Sequence, residues 1–128
     1  MPHTILVADD EPALLRLMEF LLAKQGHTML TATNGEEALE EARKHRPDII
    51  VLDIMMPKLD GYQVAEAIRA DEDLRRTPII MLSAKAQDED IERGVSVGVD
   101  TYMTKPFSPE ELTRLVSTYL AESKSTTA

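Results

Sequence analysis

The chain has 128 residues, 43% hydrophobic and 29% charged, a globular composition of a size that encloses one hydrophobic core. Its 23 acidic and 14 basic residues give a formal charge of −9, which opposes direct binding of nucleic acid through phosphate contacts. The absence of cysteine excludes disulfides, thiolate-bound zinc and iron–sulfur clusters, so any site chemistry rests on oxygen and nitrogen. No apolar run reaches the roughly 18 residues of a membrane span, and the opening MPHTILVADDE carries no signal-peptide pattern. Cytoplasmic residence without membrane association is the expectation.

Strands and helices alternate from the start. Ile5–Ala8 reads as a short strand and Pro12–Lys24 as the helix after it, with Leu14, Leu17, Met18, Leu21 and Leu22 on one face and Gly26 as a stop signal. Thr28–Ala32 is a second strand. Asn34 and Glu37 have the spacing of a capping pair that opens a second helix, which ends before Pro47. Ile49–Leu52 is a continuous, β-branch-rich run suited to a parallel strand covered on both faces, and its helix spans Gly61 to Ala70. Ile79–Leu82 gives the fourth strand. The predicted helix near Asp88–Val97 contains Gly94 and weak periodicity, so it is expected to be the least rigid. Thr101–Met103 is a short fifth strand. Ser108, Pro109 and Glu111 then supply a cap, a first-turn proline and a third-position glutamate for a last helix that buries Leu112, Leu115, Val116, Tyr119 and Leu120. The expected organisation is one domain over residues 1–122 and a polar tail, Ser123–Ala128. With no second domain beginning, a stand-alone protein is expected.

Repeated βα units imply an α/β fold, a three-layer sandwich of a parallel sheet with right-handed crossovers and helices on both faces. Ligands of such sheets bind beyond the carboxyl ends of the strands. Asp9 and Asp10 follow the first strand, Asp53 the third, Ser83 the fourth, and Lys105 lies just past the fifth. Each has an ordinary explanation alone: Asp10 as a helix cap, Asp53 and Ser83 as turn residues, Lys105 as a solvated lysine. Together they bring three carboxylates to one edge, where they repel one another unless a cation sits between them. Hard oxygen ligands suit Mg²⁺, which commonly completes its shell with phosphate oxygens. Phosphoryl transfer needs positioning and positive charge, which Mg²⁺ and Lys105 would supply, with the Ser83 hydroxyl as a donor. One carboxylate could attack and form an acyl phosphate, and spacing alone leaves open which.

Asp9-Asp10, Asp53-Ile54-Met55-Met56-Pro57 with Asp60-Gly61, Leu82-Ser83-Ala84-Lys85 and Tyr102-Met103-Thr104-Lys105-Pro106-Phe107 together resemble the response regulator receiver family of two-component signalling, over nearly the whole chain. The resemblance implies a flavodoxin-like receiver fold with a five-stranded sheet of order 2-1-3-4-5. It implies that Asp53 is the phosphoacceptor, that Asp10 and the Met55 carbonyl are direct Mg²⁺ ligands beside Asp53, and that Asp9 is a ligand through water. Ser83 and Lys105 resemble the pair that holds phosphoryl oxygens, Tyr102 with Ser83 resembles the switch, and Lys105-Pro106 the family's cis peptide. Met56 is expected to pack inward, and His3, His27 and His45 are read as surface residues. The implied partners are a sensor histidine kinase or histidine phosphotransfer protein upstream and an output protein or domain downstream. The output would read the face made by the fourth and fifth predicted helices and the fifth strand. Thr101 stands where relatives often carry an aspartate after Asp100, so any homodimer is expected to be weak.

Such a protein assists its own phosphorylation and dephosphorylation and is not a turnover enzyme. The competing reading is a Mg²⁺-dependent aspartyl phosphohydrolase of the haloacid dehalogenase type. That class resembles Asp-x-Asp, whereas Met55 fills the second position here. A flavodoxin-like electron carrier would need a Ser-, Thr- and Gly-rich phosphate loop where Asp9-Asp10-Glu11 stands.

Overall fold

The computed structural model describes residues 3–83 and 96–126, with side chains up to residue 121. In chain order it contains β1 (Thr4–Ala8), α1 (Pro12–Lys24), β2 (Thr28–Ala32), α2 (Gly35–His45), β3 (Ile49–Asp53) and α3 (Gly61–Ala70). These are followed by β4 (Ile79–Ser83), β5 (Thr101–Thr104) and the C-terminal helix, α4 (Pro109–Thr126). The strands form one sheet of order β2-β1-β3-β4-β5, and every neighbouring pair is parallel.

The two-residue period of a strand explains why the central runs are apolar throughout. Leu6, Ala8, Ile50, Leu52, Ile79 and Met81 face one side, where they pack with Ala38, Leu39 and Ala42 of α2 and Val64, Ala65 and Ile68 of α3. The residues between them, Ile5, Val7, Ile49, Val51, Ile80 and Leu82, face the other side with Leu15, Met18 and Leu22 of α1 and Leu112, Val116 and Leu120 of α4. The layers are those of the expected flavodoxin-like sandwich.

Helix starts follow local chemistry. The Asn34 side chain accepts from the Glu37 N–H at 2.8 Å, and the Glu37 carboxylate returns to the Thr33 N–H at 3.1 Å. Asp60 and Gln63 form a full capping box on α3. Ser108 Oγ accepts from the Glu111 N–H at 3.1 Å at the start of α4. At the amino ends of β4 and β5, Arg69 from α3 donates to the Gly98, Arg75 and Thr77 carbonyls at 2.9, 3.1 and 2.7 Å, and to Asp100 Oδ2 at 2.9 Å. The same Asp100 oxygen accepts from the Ile79 N–H at 2.7 Å.

Several expectations are corrected. Leu17, assigned to the buried face of α1, is 44% exposed, while Leu15 is buried. Strands β3, β4 and β5 each run one residue further than their apolar cores, so Asp53, Ser83 and Thr104 are strand residues. Helix α4 continues to Thr126, past the expected boundary at residue 122. His27 is part-buried with its ring centroid 5.9 Å from that of His3, and burial, then the neighbouring His3, lowers its pKa. Of the helix expected near Asp88–Val97, Ser96 and Val97 are described and helical, and the remainder, like Lys85, lies outside the described residues.

Candidate functional site

Parallel pairing brings the strand ends to a common edge. Asp9 directly follows β1 and stays fully buried, because its N–H donates to the Ala32 carbonyl of β2 at 3.1 Å and its Oδ1 accepts from the Glu11 N–H at 2.9 Å. Asp53 ends β3 opposite Leu82 of β4 and is 5% exposed. Ser83 ends β4, is also buried, and its carbonyl accepts from the Lys105 N–H at 2.7 Å. That bond anchors the chain beyond β5, where the Lys105-Pro106 peptide is cis. Lys105 Nζ thereby reaches Asp9 Oδ2 at 3.0 Å and Asp53 Oδ2 at 3.3 Å.

The loop after β3 is held close to the same edge. The Gly61 N–H donates to the Ile54 carbonyl at 2.9 Å, and a Cβ on Gly61 would lie 2.6 Å from the Asp53 carbonyl oxygen. Only glycine permits that approach of α3 to β3. The Met55 N–H donates to the Asp53 carboxylate, while the Met55 side chain is 75% exposed. Met56 packs against the core, as expected.

Carboxylate oxygens of Asp9, Asp10 and Asp53 all lie within 4.8 Å of one another, with Asp9 and Asp53 buried and Asp10 exposed. Among the described residues, Lys105 is the one lysine paired with this group. Burial pushes the Asp53 carboxyl up to about 6, the Asp9 charge adds to the rise, and Lys105 and the Met55 N–H only partly oppose it. Burial acts to lower the pKa of Lys105, but its contacts with Asp9 and Asp53 outweigh this and raise it. Asp9 Oδ2 lies within ion-pair distance of Lys105, yet among the described residues no donor is aligned to hydrogen-bond this buried oxygen. A buried carboxylate oxygen without an aligned donor, beside an acid whose pKa is raised by burial and by Asp9, fits a site for a divalent cation.

The profile of the response regulator receiver domain matches residues 5–117. The chain belongs to the response regulator receiver family. Across 124 residues, 97% of its length, this receiver is 44% identical to the alkaline phosphatase synthesis transcriptional regulatory protein PhoP of Bacillus subtilis and covers 51% of that protein. It is 49% identical over 108 residues to the probable transcriptional regulator ycf27 of Pyropia yezoensis, covering 84% of this chain and 43% of the relative. The receiver thus spans about half the length of these curated relatives. Among solved structures, the receiver domain of sensor histidine kinase PA1611 from Pseudomonas aeruginosa superposes with a TM-score of 0.87 at 34% identity, covering 94% of this chain and 99% of that one. That structure holds a magnesium ion in its active site cleft. The chemotaxis response regulator CheY4 of Vibrio cholerae superposes with a TM-score of 0.88 at 31% identity, covering 93% of the receiver and 99% of its own chain. The haloacid dehalogenase alternative is not supported by these matches.

The structure gathers Asp9, Asp10, Asp53 and Lys105, with Ser83 on the next strand end. Tyr102 lies outside the carboxylate cluster and is turned inward: it packs part-buried against the core, and its hydroxyl lies 3.2 Å from that of Tyr62 on α3. Sequence patterning singles out no role for Tyr62, because its partner is 40 residues away and no local signal links them.

Proposed function

We propose that this receiver module, residues 1–122, accepts a phosphoryl group on Asp53 from a histidine kinase or phosphotransfer protein. An Asp53 carboxylate oxygen would bond to phosphorus as the phosphorus–nitrogen bond to the donor imidazole breaks. Asp10, Asp53 and the Met55 carbonyl would hold Mg²⁺ directly and Asp9 through water. The ion would supply charge neutralisation to the transferring group. Lys105 contributes a fixed point charge 3.3 Å from the attacking carboxylate, and the Ser83 hydroxyl would donate to a phosphoryl oxygen. Buried Asp53, facing a lysine at the shared strand edge, is the observation that carries this reading.

In the proposed switch, the phosphoryl oxygens draw in Ser83 and favour the inward over the outward position of Tyr102 beside it, repacking the face around β5 and α4 for an output partner. The names of the longer relatives as transcriptional regulators support an output in gene control, exerted by another domain or protein. The charge of −9 supports leaving DNA contact to that other component. The module acts in the cytoplasm, where it catalyses its own modification without turning over a substrate pool. Self-association is weak, since Asp100 is already paired with Arg69 within the chain. The test is incubation with acetyl phosphate, with and without Mg²⁺, followed by mapping of the adduct by mass spectrometry. Mg²⁺-dependent labelling confined to Asp53 is expected. Full labelling of Asp53→Asn would overturn the assignment.

A further inference from the structure

Tyr62 is the second residue of α3 and is 2% exposed. Its hydroxyl meets that of Tyr102 at 3.2 Å, and the Tyr102 ring packs part-buried against the same side of the sheet. The phenol pair therefore ties α3 to β5. Both ends of this tie lead to the site. Gly61, one residue before Tyr62, is in close contact with the backbone of Asp53 and Ile54. Tyr102 lies three residues before Lys105, whose ammonium group contacts the Asp53 carboxylate.

We propose that Tyr62 is a positioning residue for the switch: its buried hydroxyl holds the Tyr102 ring inward and so favours the conformation coupled to phosphorylation of Asp53. The proposal rests on the reading of Asp53 as phosphoacceptor and Tyr102 as switch residue. Its direction follows from burial. The Tyr62 ring is enclosed by core side chains and cannot follow Tyr102, so a Tyr102 ring turned to solvent loses this hydrogen bond. A contact made in only one of two states biases the equilibrium between them by its full differential strength. One ordinary hydrogen bond corresponds to a change of about 2- to 12-fold in such an equilibrium. By linkage, a ligand at Asp53 that selects the inward state should lose up to the same factor in affinity when the bond is removed.

Tyr62→Phe removes the hydroxyl and keeps the ring, so core packing is retained. The full chain is labelled with 3-fluorotyrosine, whose three tyrosines give three fluorine resonances. Beryllofluoride with Mg²⁺ serves as the phosphoryl mimic. The expected result for Tyr62→Phe is a Tyr102 resonance shifted towards the solvent-exposed position and beryllofluoride affinity lowered about 2- to 12-fold. Tyr102→Phe should also lower affinity, and the double variant should lose less than the sum of the two single losses, because both substitutions remove one shared bond. An unchanged Tyr102 resonance and affinity in Tyr62→Phe, or fully additive losses, would overturn the proposal. Failures of the underlying reading look different. If wild type and Asp53→Asn bind beryllofluoride equally, the phosphoacceptor assignment falls and takes the latch with it. If wild type binds at Asp53 with no response at Tyr102, the switch assignment falls instead.

Discussion

The two ends of the sheet treat charge in opposite ways. At the amino end, Asp100 is matched: Arg69 and the Ile79 N–H both donate to it, and Arg69 uses its remaining donors on backbone carbonyls. At the carboxyl end, Asp9, Asp10 and Asp53 cluster, Lys105 pairs with two of them, and among the described residues no donor is aligned on a buried oxygen of Asp9. Charge is balanced where it only joins α3 to β4 and β5. It stays unbalanced where the proposed cation and phosphoryl group would bind, and Asp53 shows the cost as a pKa raised to about 6.

Removing the cation at each end should separate the two roles. Lys105→Ala is expected to slow phosphorylation of Asp53 by acetyl phosphate by about 10²-fold or more, because a fixed charge beside the transferring group is lost. Arg69→Met at the opposite end should leave that rate nearly unchanged. It should instead lower stability in urea unfolding by about 1–3 kcal/mol, as Asp100 and three carbonyls lose their donor. Equal effects of the two substitutions on phosphorylation would erase the distinction between the ends.

A smaller effect concerns the lifetime of the phosphorylated state. The exposed Met55 offers an approaching water no acceptor, and its thioether can shield the acyl phosphate. Loss of phosphate from isolated phosphoprotein should be slow, and Met55→Glu should speed it several-fold. Decay of the wild type within seconds, or an unchanged rate in the variant, would contradict this role.

The pH dependence sharpens the same contrast. Asp53 rises from 3.8 to about 6 on folding, so between those values the folded chain holds more protons than the unfolded chain. The contribution of Asp53 to stability therefore falls as pH rises through that window without metal. The melting temperature of metal-free Asp53→Asn should lack this component. Mg²⁺ needs the ionised carboxylate, so its affinity should increase as pH rises through about 6.

Much of this was legible in the sequence, for identifiable reasons. Strands covered on both faces must be apolar throughout, so β1, β3 and β4 announce themselves, and the polar residue ending each run marks the site edge. The strand order came from family resemblance, since alternation alone does not order a sheet. The α1 error has a physical origin: Leu14, Leu15, Leu17, Met18, Leu21 and Leu22 make overlapping apolar stripes, and only docking on the sheet decides that Leu15 is covered and Leu17 is not. Strand ends ran long because Asp53 and Ser83 keep their backbone pairing after hydrophobicity stops. The Tyr62–Tyr102 contact joins distant segments, which no periodicity encodes.

The most direct test of the unbalanced carboxyl edge is thermal unfolding of wild type, Asp10→Ala and Asp53→Asn at pH 7.5, each titrated with Mg²⁺. Wild type should gain stability with Mg²⁺ as the ion neutralises the cluster. Metal-free Asp53→Asn should melt above metal-free wild type, and both variants should lose most of the Mg²⁺-dependent gain. If both variants respond to Mg²⁺ like wild type, and Asp53→Asn is no more stable without it, the three carboxylates are not the site.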